Sequence, residues 1–220
     1  MPTPAETRRT ALGVSFTVGL YGVAFGAAGV AAGFSVWQTC LFSLLAFTGA
    51  SQFAAVGVVA AGGNPLSAVS TAALVGTRNA LYGLQMAPVV QSSGWRRLLA
   101  AHLTIDESTS VSLVQAPLGA GAMRAGFWLT GAGVYVFWNI FTVAGALGAS
   151  ALGNPAGWGL DAAVPAAFLG LLWPRLTTPY LRAVAAVSVV TALVLTPLMA
   201  PGLATISTAV VAIVMGWRKR

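Results

Sequence analysis

The sequence predicts an all-α, polytopic integral membrane fold, a single domain over residues 1–220 with about seven transmembrane helices, at least one broken or re-entrant. Three observations carry that prediction. Hydrophobic residues make up 57% of the chain and charged ones only 7%, where a soluble domain has roughly a quarter charged. No charge falls within residues 10–77, 125–160 or 183–217, and a crossing helix needs about 20 mostly apolar residues. Buried helices of a soluble protein would show a polar face at helical period, and none is visible here.

The third observation is where the basic residues lie. The net charge is +7, but Arg8, Arg9, Arg96, Arg97, Arg124, Arg175, Arg182, Arg218, Lys219 and Arg220 all sit at the edges of apolar segments. That is the pattern of cytoplasmic loops under the positive-inside rule. A nucleic-acid surface would show a basic stripe with interleaved aromatics, so no nucleic-acid partner is expected.

Turn and breaker residues divide the chain in order. Apolar segments run over about 11–33, 37–61, 66–90, 126–149, 160–173, 181–198 and 203–217, with Gly62-Gly63-Asn64-Pro65 as the clearest turn. The segment 98–118 differs, since it holds His102, Asp106 and Glu107. Counting back from an inside Arg218 returns Arg175, Arg182 and Arg124 to the inside as two hairpins. If 98–118 does not fully cross, Arg8 and Arg9 are inside only when one of the first three segments is broken. The second and third are the candidates, because polar residues gather there. A competing arrangement lets 98–118 cross and buries its acidic pair.

The first apolar run exceeds the roughly 7–15 residues of a signal h-region, so it is read as a retained crossing. It carries a glycine seam, Gly19, Gly22, Gly26, Gly29 and Gly33, on one helix face. Such a seam permits close helix packing; a path for substrate along the same face is the other reading. Cys40 is the single cysteine, which excludes an internal disulfide.

Polar residues inside apolar runs are costly and mark candidate sites. In Phe47-Thr48-Gly49-Ala50-Ser51-Gln52-Phe53, small and polar residues interrupt a run at its middle. This suits a broken helix whose freed N–H groups face a carboxylate, or a helix in which Ser51 and Gln52 simply bond to neighbours. In Gly76-Thr77-Arg78-Asn79-Ala80-Leu81-Tyr82, Arg78, Asn79 and Tyr82 share a broad helix face. Arg78 suits a carboxylate ligand, an internal pair with Asp106, Glu107 or Asp161, or snorkelling to an interface. His102 and Asp106 are i, i+4 neighbours if that stretch is helical. Desolvation and the repulsion between Asp106 and Glu107 favour protonation of at least one carboxyl, as a proton-coupling group requires, or the stretch is a solvated amphipathic segment at the cytoplasmic surface. Asp161 opens a later segment, where an acid is also an ordinary cap. Asn139, next to Trp138, lines a cavity or bonds between helices.

These stretches resemble the AzlC family. The likeness rests on Phe47-Thr-Gly-Ala-Ser-Gln-Phe-Ala-Ala, Arg78-Asn-Ala-Leu-Tyr-Gly, Thr104-Ile-Asp-Glu and Leu160-Asp-Ala-Ala-Val-Pro, and runs in order over nearly the whole chain. Members are large subunits of branched-chain amino acid exporters, also called the BrnF type. The resemblance implies export of leucine, isoleucine, valine and also methionine across the bacterial cytoplasmic membrane, with a small hydrophobic AzlD-type subunit and coupling to the proton gradient. Thr48 stands where the family pattern suggests alanine, and Ile105 separates Thr104 from Asp106, which loosens any role for Thr104.

The expected site therefore comprises Phe47, Ser51, Gln52, Arg78, Asn79, Tyr82 and Asn139 for substrate, and Asp106, Glu107 and Asp161 for protons. The chain has no phosphate-binding glycine loop, so ATP hydrolysis by a P-loop is not expected. With one histidine and a cysteine lacking a nearby base, neither an enzyme, a metal site nor a cofactor is expected. The alternative is a structural or channel-like membrane subunit with no transport of its own.

Overall fold

The computed structural model describes residues 4–153, 157, 159, 162–199 and 203–218, and every regular element among them is helical. Helix α1 (Pro4–Gly19) runs into α2 (Tyr21–Ala31) with Leu20 still in helical geometry. Next come α3 (Val36–Leu45), α4 (Ala50–Ala60) and the long α5 (Pro65–Val90). The shorter α6 (Trp95–His102) and α7 (Asp106–Val114) precede α8 (Ala120–Ala151). The chain continues through α9 (Ala163–Leu172), α10 (Pro179–Leu195) and α11 (Leu203–Arg218). Two helices among the described residues, Glu6–Ala31 and Ala120–Ala151, are long and apolar enough to cross a membrane. Helix α5 equals the first in length at 26 residues, but Arg78 and its polar neighbours interrupt its apolar run.

Local chemistry sets the boundaries. Ser35 starts α3 with a capping box: its hydroxyl accepts from the Gln38 N–H at 3.1 Å, and its own N–H donates to Gln38 Oε1 at 2.8 Å. Asn64 caps α5 by accepting from the Ser67 N–H at 2.9 Å, with Pro65 pre-set for the first helical position. Thr178 and Pro179 repeat the device on α10.

The glycine seam is a packing surface. Helices α1 and α2 lie parallel to α8: Ser15 bonds the Thr130 carbonyl, Gly19 faces Phe137, and Gly26 faces Thr142 and Ala146. A methyl group on Gly22 would overlap the Trp138 carbonyl, and one on Gly145 of α8 would overlap that of Val23. The seam lets two backbones touch without a side chain between them. Buried hydroxyls add further ties, Ser43 of α3 to Thr142 of α8 at 3.2 Å and Thr7 of α1 to Gln115 at the end of α7 at 2.9 Å.

The two interrupted segments are hairpins. Helices α3 and α4 fold back on each other, since the Gln52 amide reaches the Phe42 carbonyl at 3.4 Å and the Phe25 ring contacts both Phe42 and Phe53. This hairpin starts at the C-terminal end of α2, where Gly29 meets Thr39. Helices α6 and α7 fold back likewise: Ala100 packs on Phe127, and Ser112 bonds the Met123 carbonyl, both near the start of α8. Because α2 and α8 are parallel, the hairpins enter from opposite ends. A long helix followed by a hairpin thus occurs twice, the second time inverted.

Each hairpin arm has 8 to 11 residues, or about 12–17 Å at 1.5 Å per residue, near half a bilayer core. The tips meet where Phe47 stands 5.9 Å from His102 and 5.1 Å from Tyr135. Of the two candidates for a break, 37–61 is divided at its middle and 66–90 is one continuous helix, while 98–118 is likewise divided at its middle. Helix α9 is also short, at 10 residues, and its C-terminal end reaches the same level.

Candidate functional site

The first break covers Ala46 to Gly49. Gly49 has φ +63°, a conformation open to glycine, and its N–H donates to Gln52 Oε1 at 3.0 Å. The Gln52 and Phe53 N–H groups take the Gly49 carbonyl. Ala50 and Ser51, at the first positions of α4, have no intrahelical acceptor for their N–H groups. The second break, Leu103 to Ile105, is tied by one hydroxyl: Ser108 Oγ accepts from the Ile105 N–H at 3.0 Å and donates to the Leu103 carbonyl at 2.8 Å. That turn presents Asp106 and Glu107 as the first residues of α7, where negative charge is favoured by the helix dipole.

Arg78 joins the breaks. Its Nη1 meets Asp106 Oδ2 at 2.7 Å, and its Nη2 donates to the Thr48 carbonyl, freed by the first break, at 3.3 Å. Arg175 Nη2 meets the same Asp106 Oδ2 at 2.9 Å. The Asp106 side chain is 14% exposed, that of Arg78 28% and that of Arg175 61%. One carboxylate oxygen thus serves two guanidinium groups while Oδ1 has no partner among the described residues. Arg78 Nε, Ser51 Oγ, Asn79 Oδ1 and Trp138 Nε1 are also buried without a partner there. Leaving a buried polar group unpaired costs about 1–3 kcal/mol, so such a concentration marks a place built for a ligand or water.

Of these groups, Arg78, Asp106 and Trp138 line a cavity of about 190 Å³. One end holds Thr48, Arg78, Asp106, Glu107 and Arg175; the rest is walled by Val18, Tyr21, Phe47, Ile105, Val134, Trp138 and Leu172, with Gly49 and Ala50 at the α4 end. The cavity is smaller than the roughly 300–1,000 Å³ of drug-sized pockets.

Of the residues expected at the site, Phe47, Arg78, Asp106 and Glu107 line this cavity. Ser51 lies buried beside Gly76 with its hydroxyl unpaired. Gln52 is 0% exposed and spends both ends of its amide on the hairpin backbone. Asn139 bonds back to the Tyr135 carbonyl on its own helix at 2.8 Å. Neither Asn79, Tyr82 nor Asn139 is among the lining residues. Asp161 lies outside the described residues. His102 and Asp106 do not share a helix face, because the break separates them.

Arg175 was missed. Placed at the edge of an apolar segment, it read as a loop marker, and no local pattern distinguishes it from Arg182. Tyr21, Val18, Val134 and Leu172 carry no signal beyond apolarity, while Trp138 was legible only as the neighbour of Asn139.

Comparison with protein families gives a match to the AzlC protein family over residues 13–152. That interval contains both hairpins, Arg78, Asp106 and Trp138, and stops short of Arg175. No curated protein and no solved structure matches the chain. The chain belongs to the AzlC family, membrane proteins associated with branched-chain amino acid transport.

Proposed function

We propose that this chain is the large subunit of a secondary transporter that exports leucine, isoleucine and valine, and also methionine, across the bacterial cytoplasmic membrane. The observation that carries the reading is the cavity: small, apolar and aromatic along most of its wall, with fixed opposite charges at one end. A branched-chain amino acid has the same layout. Its aliphatic side chain suits Phe47, Val134, Trp138 and Leu172, its carboxylate the guanidinium groups, and its ammonium Asp106. A half-buried ion pair in place before binding means the substrate exchanges partners and does not face an unpaired charge.

In this reading α1–α2, α5 and α8 cross the bilayer, and the two hairpins are re-entrant from opposite faces. Meeting breaks at mid-depth are a recurrent way to hold a solute between inverted halves. Arg8, Arg9, Arg96, Arg97 and Arg124 then share the cytoplasmic side. The pairing of Thr7 with Gln115 and of Arg124 with the Val89 carbonyl supports that grouping. Glu107, next to Asp106 in the cavity, carries the proton that couples export to the gradient, with Asp106 as its electrostatic partner. A small hydrophobic AzlD-type subunit completes the transporter.

The test is labelled leucine flux in liposomes holding this chain alone and then with its partner subunit. Saturable flux that needs both chains and follows an imposed proton gradient supports the reading. Gradient-independent or unselective flux, or none with both chains, leaves the channel-like or structural subunit in its place.

A further inference from the structure

Two arginines converge on Asp106 Oδ2, and they are held differently. Arg78 comes from the middle of the unbroken α5, and both its terminal nitrogens are engaged, one by Asp106 and one by the Thr48 carbonyl. Its Nε has no partner among the described residues, but the fork is tied to both breaks at once, so it is fixed in place. Arg175 comes from the short turn Trp173–Arg175 ahead of α10, is 61% exposed, and has no second acceptor among the described residues. With one tie where Arg78 has two, Arg175 is the guanidinium more readily exchanged from Asp106.

We propose that Arg175 is the residue that binds the substrate carboxylate, and that it is released for this role by exchange at Asp106. This assignment rests on the transport reading above. The incoming amino acid gives its carboxylate to Arg175 and its ammonium to Asp106, whose Oδ1 is unpartnered. One ion pair is replaced by two, with no change in protonation. Arg78 stays on Asp106 throughout, so the buried carboxylate never lacks a counter-ion. The planar fork of Arg175 suits two-point recognition of a carboxylate. Leu172, one turn earlier in the chain, lines the same cavity, so a substrate held by Arg175 has apolar surface beside its side chain. Arg175 lies beyond the residues 13–152 that match the family, and it ties the α9 end of the chain to the cavity.

The experiment uses the chain reconstituted with its partner subunit, and compares native protein with Arg175→Gln, Arg175→Lys and Arg182→Gln. Arg182 bonds the Leu176 carbonyl across the same connection at 3.0 Å and serves as the control for local structure. Leucine KM and maximal rate are measured, together with competition by leucinamide, which keeps the ammonium and lacks the carboxylate. The expected result is a rise of about tenfold or more in leucine KM for Arg175→Gln, since one charge-assisted carboxylate contact is lost. The preference for leucine over leucinamide collapses with it, Arg175→Lys falls between, and Arg182→Gln behaves as native.

A leucine KM and preference unchanged in Arg175→Gln overturn the proposal, including when the maximal rate alone falls. Absence of leucine flux in the native protein refutes the transport reading instead. If Arg175→Gln does not insert, Arg175→Cys in a Cys40→Ala background replaces it. Alkylation with a cationic reagent restores the leucine preference if the proposal holds, and a neutral reagent does not. Equal effects from both reagents overturn it.

Discussion

The Arg78 guanidinium meets the Asp106 carboxylate at 2.7 Å, joining an unbroken helix to the first residue of a helix that begins in mid-structure. The same guanidinium holds the Thr48 carbonyl of the opposite hairpin tip at 3.3 Å. One side chain thereby satisfies groups left over by both breaks, and the cavity lies beside it. The charge is part of the architecture before it is part of any chemistry.

Asp106→Asn removes the counter-ion of two arginines. We expect a loss of about 1–3 kcal/mol in stability, the scale of a hydrogen bond to a charged group. Transport falls more than stability does, because the ammonium site goes too. Thermal unfolding of the purified protein measures the first and liposome flux the second. The double variant Arg78→Gln/Asp106→Asn recovers part of the stability, since no charge is left unpaired, and recovers no transport. Simple additivity of the two single changes would show that the pair is not coupled.

Gln52 offers a contrast between positioning a site and touching substrate. Its amide ties the Gly49 N–H to the Phe42 carbonyl with no exposure. Gln52→Leu strands the Gly49 N–H, at a cost of about 1–3 kcal/mol, while the Phe42 carbonyl keeps the Ala46 N–H at 3.0 Å. Stability and maximal transport rate decline together, while the order of preference among leucine, valine and methionine is retained. A changed order of preference with native stability would put Gln52 in contact with substrate.

How much of this was legible in the residues depends on the range of the interaction. Membrane composition, a break within Phe47 to Phe53 and the importance of Arg78 follow from local cost, since polar groups in apolar runs need a reason. The glycine seam was also legible, as periodicity on one helix face. The folding back of residues 37–61 and 98–118 was visible only as a charge-counting problem, because what closes each hairpin is a single amide or hydroxyl, Gln52 or Ser108. Arg175 reaches Asp106 from 69 residues away, and no local pattern encodes a meeting at that separation.

The seam predicts position-dependent effects of small substitutions. Gly26→Ala drives a methyl into the α8 backbone, and overpacking of this kind costs about 1–3 kcal/mol. Gly13→Ala and Gly148→Ala meet nothing within 4 Å and raise stability by up to about 1 kcal/mol through helix propensity. Thermal unfolding in detergent checks all three. Equal effects at Gly26 and Gly148 would contradict close packing of α2 on α8.

The opposed hairpins predict sidedness. In a Cys40→Ala background, cysteines at Ala32 and Ala61 bracket the first hairpin and react with an impermeant thiol reagent from one side of the membrane. A cysteine at Ser92, between α5 and α6, reacts from the other. Reaction of Ala32→Cys and Ala61→Cys from opposite sides would mean that α3 and α4 cross as one segment.

The central claim is that the charged end of the cavity recognises an amino acid, and Arg78→Ala tests it most directly. The variant is reconstituted with its partner subunit, its insertion verified by the same thiol accessibility, and labelled leucine flux measured beside the native protein. The account predicts flux reduced by about tenfold or more, because Asp106 loses its fixed counter-ion and the hairpin tips their tie. A correctly inserted Arg78→Ala that transports leucine at the native rate would contradict it.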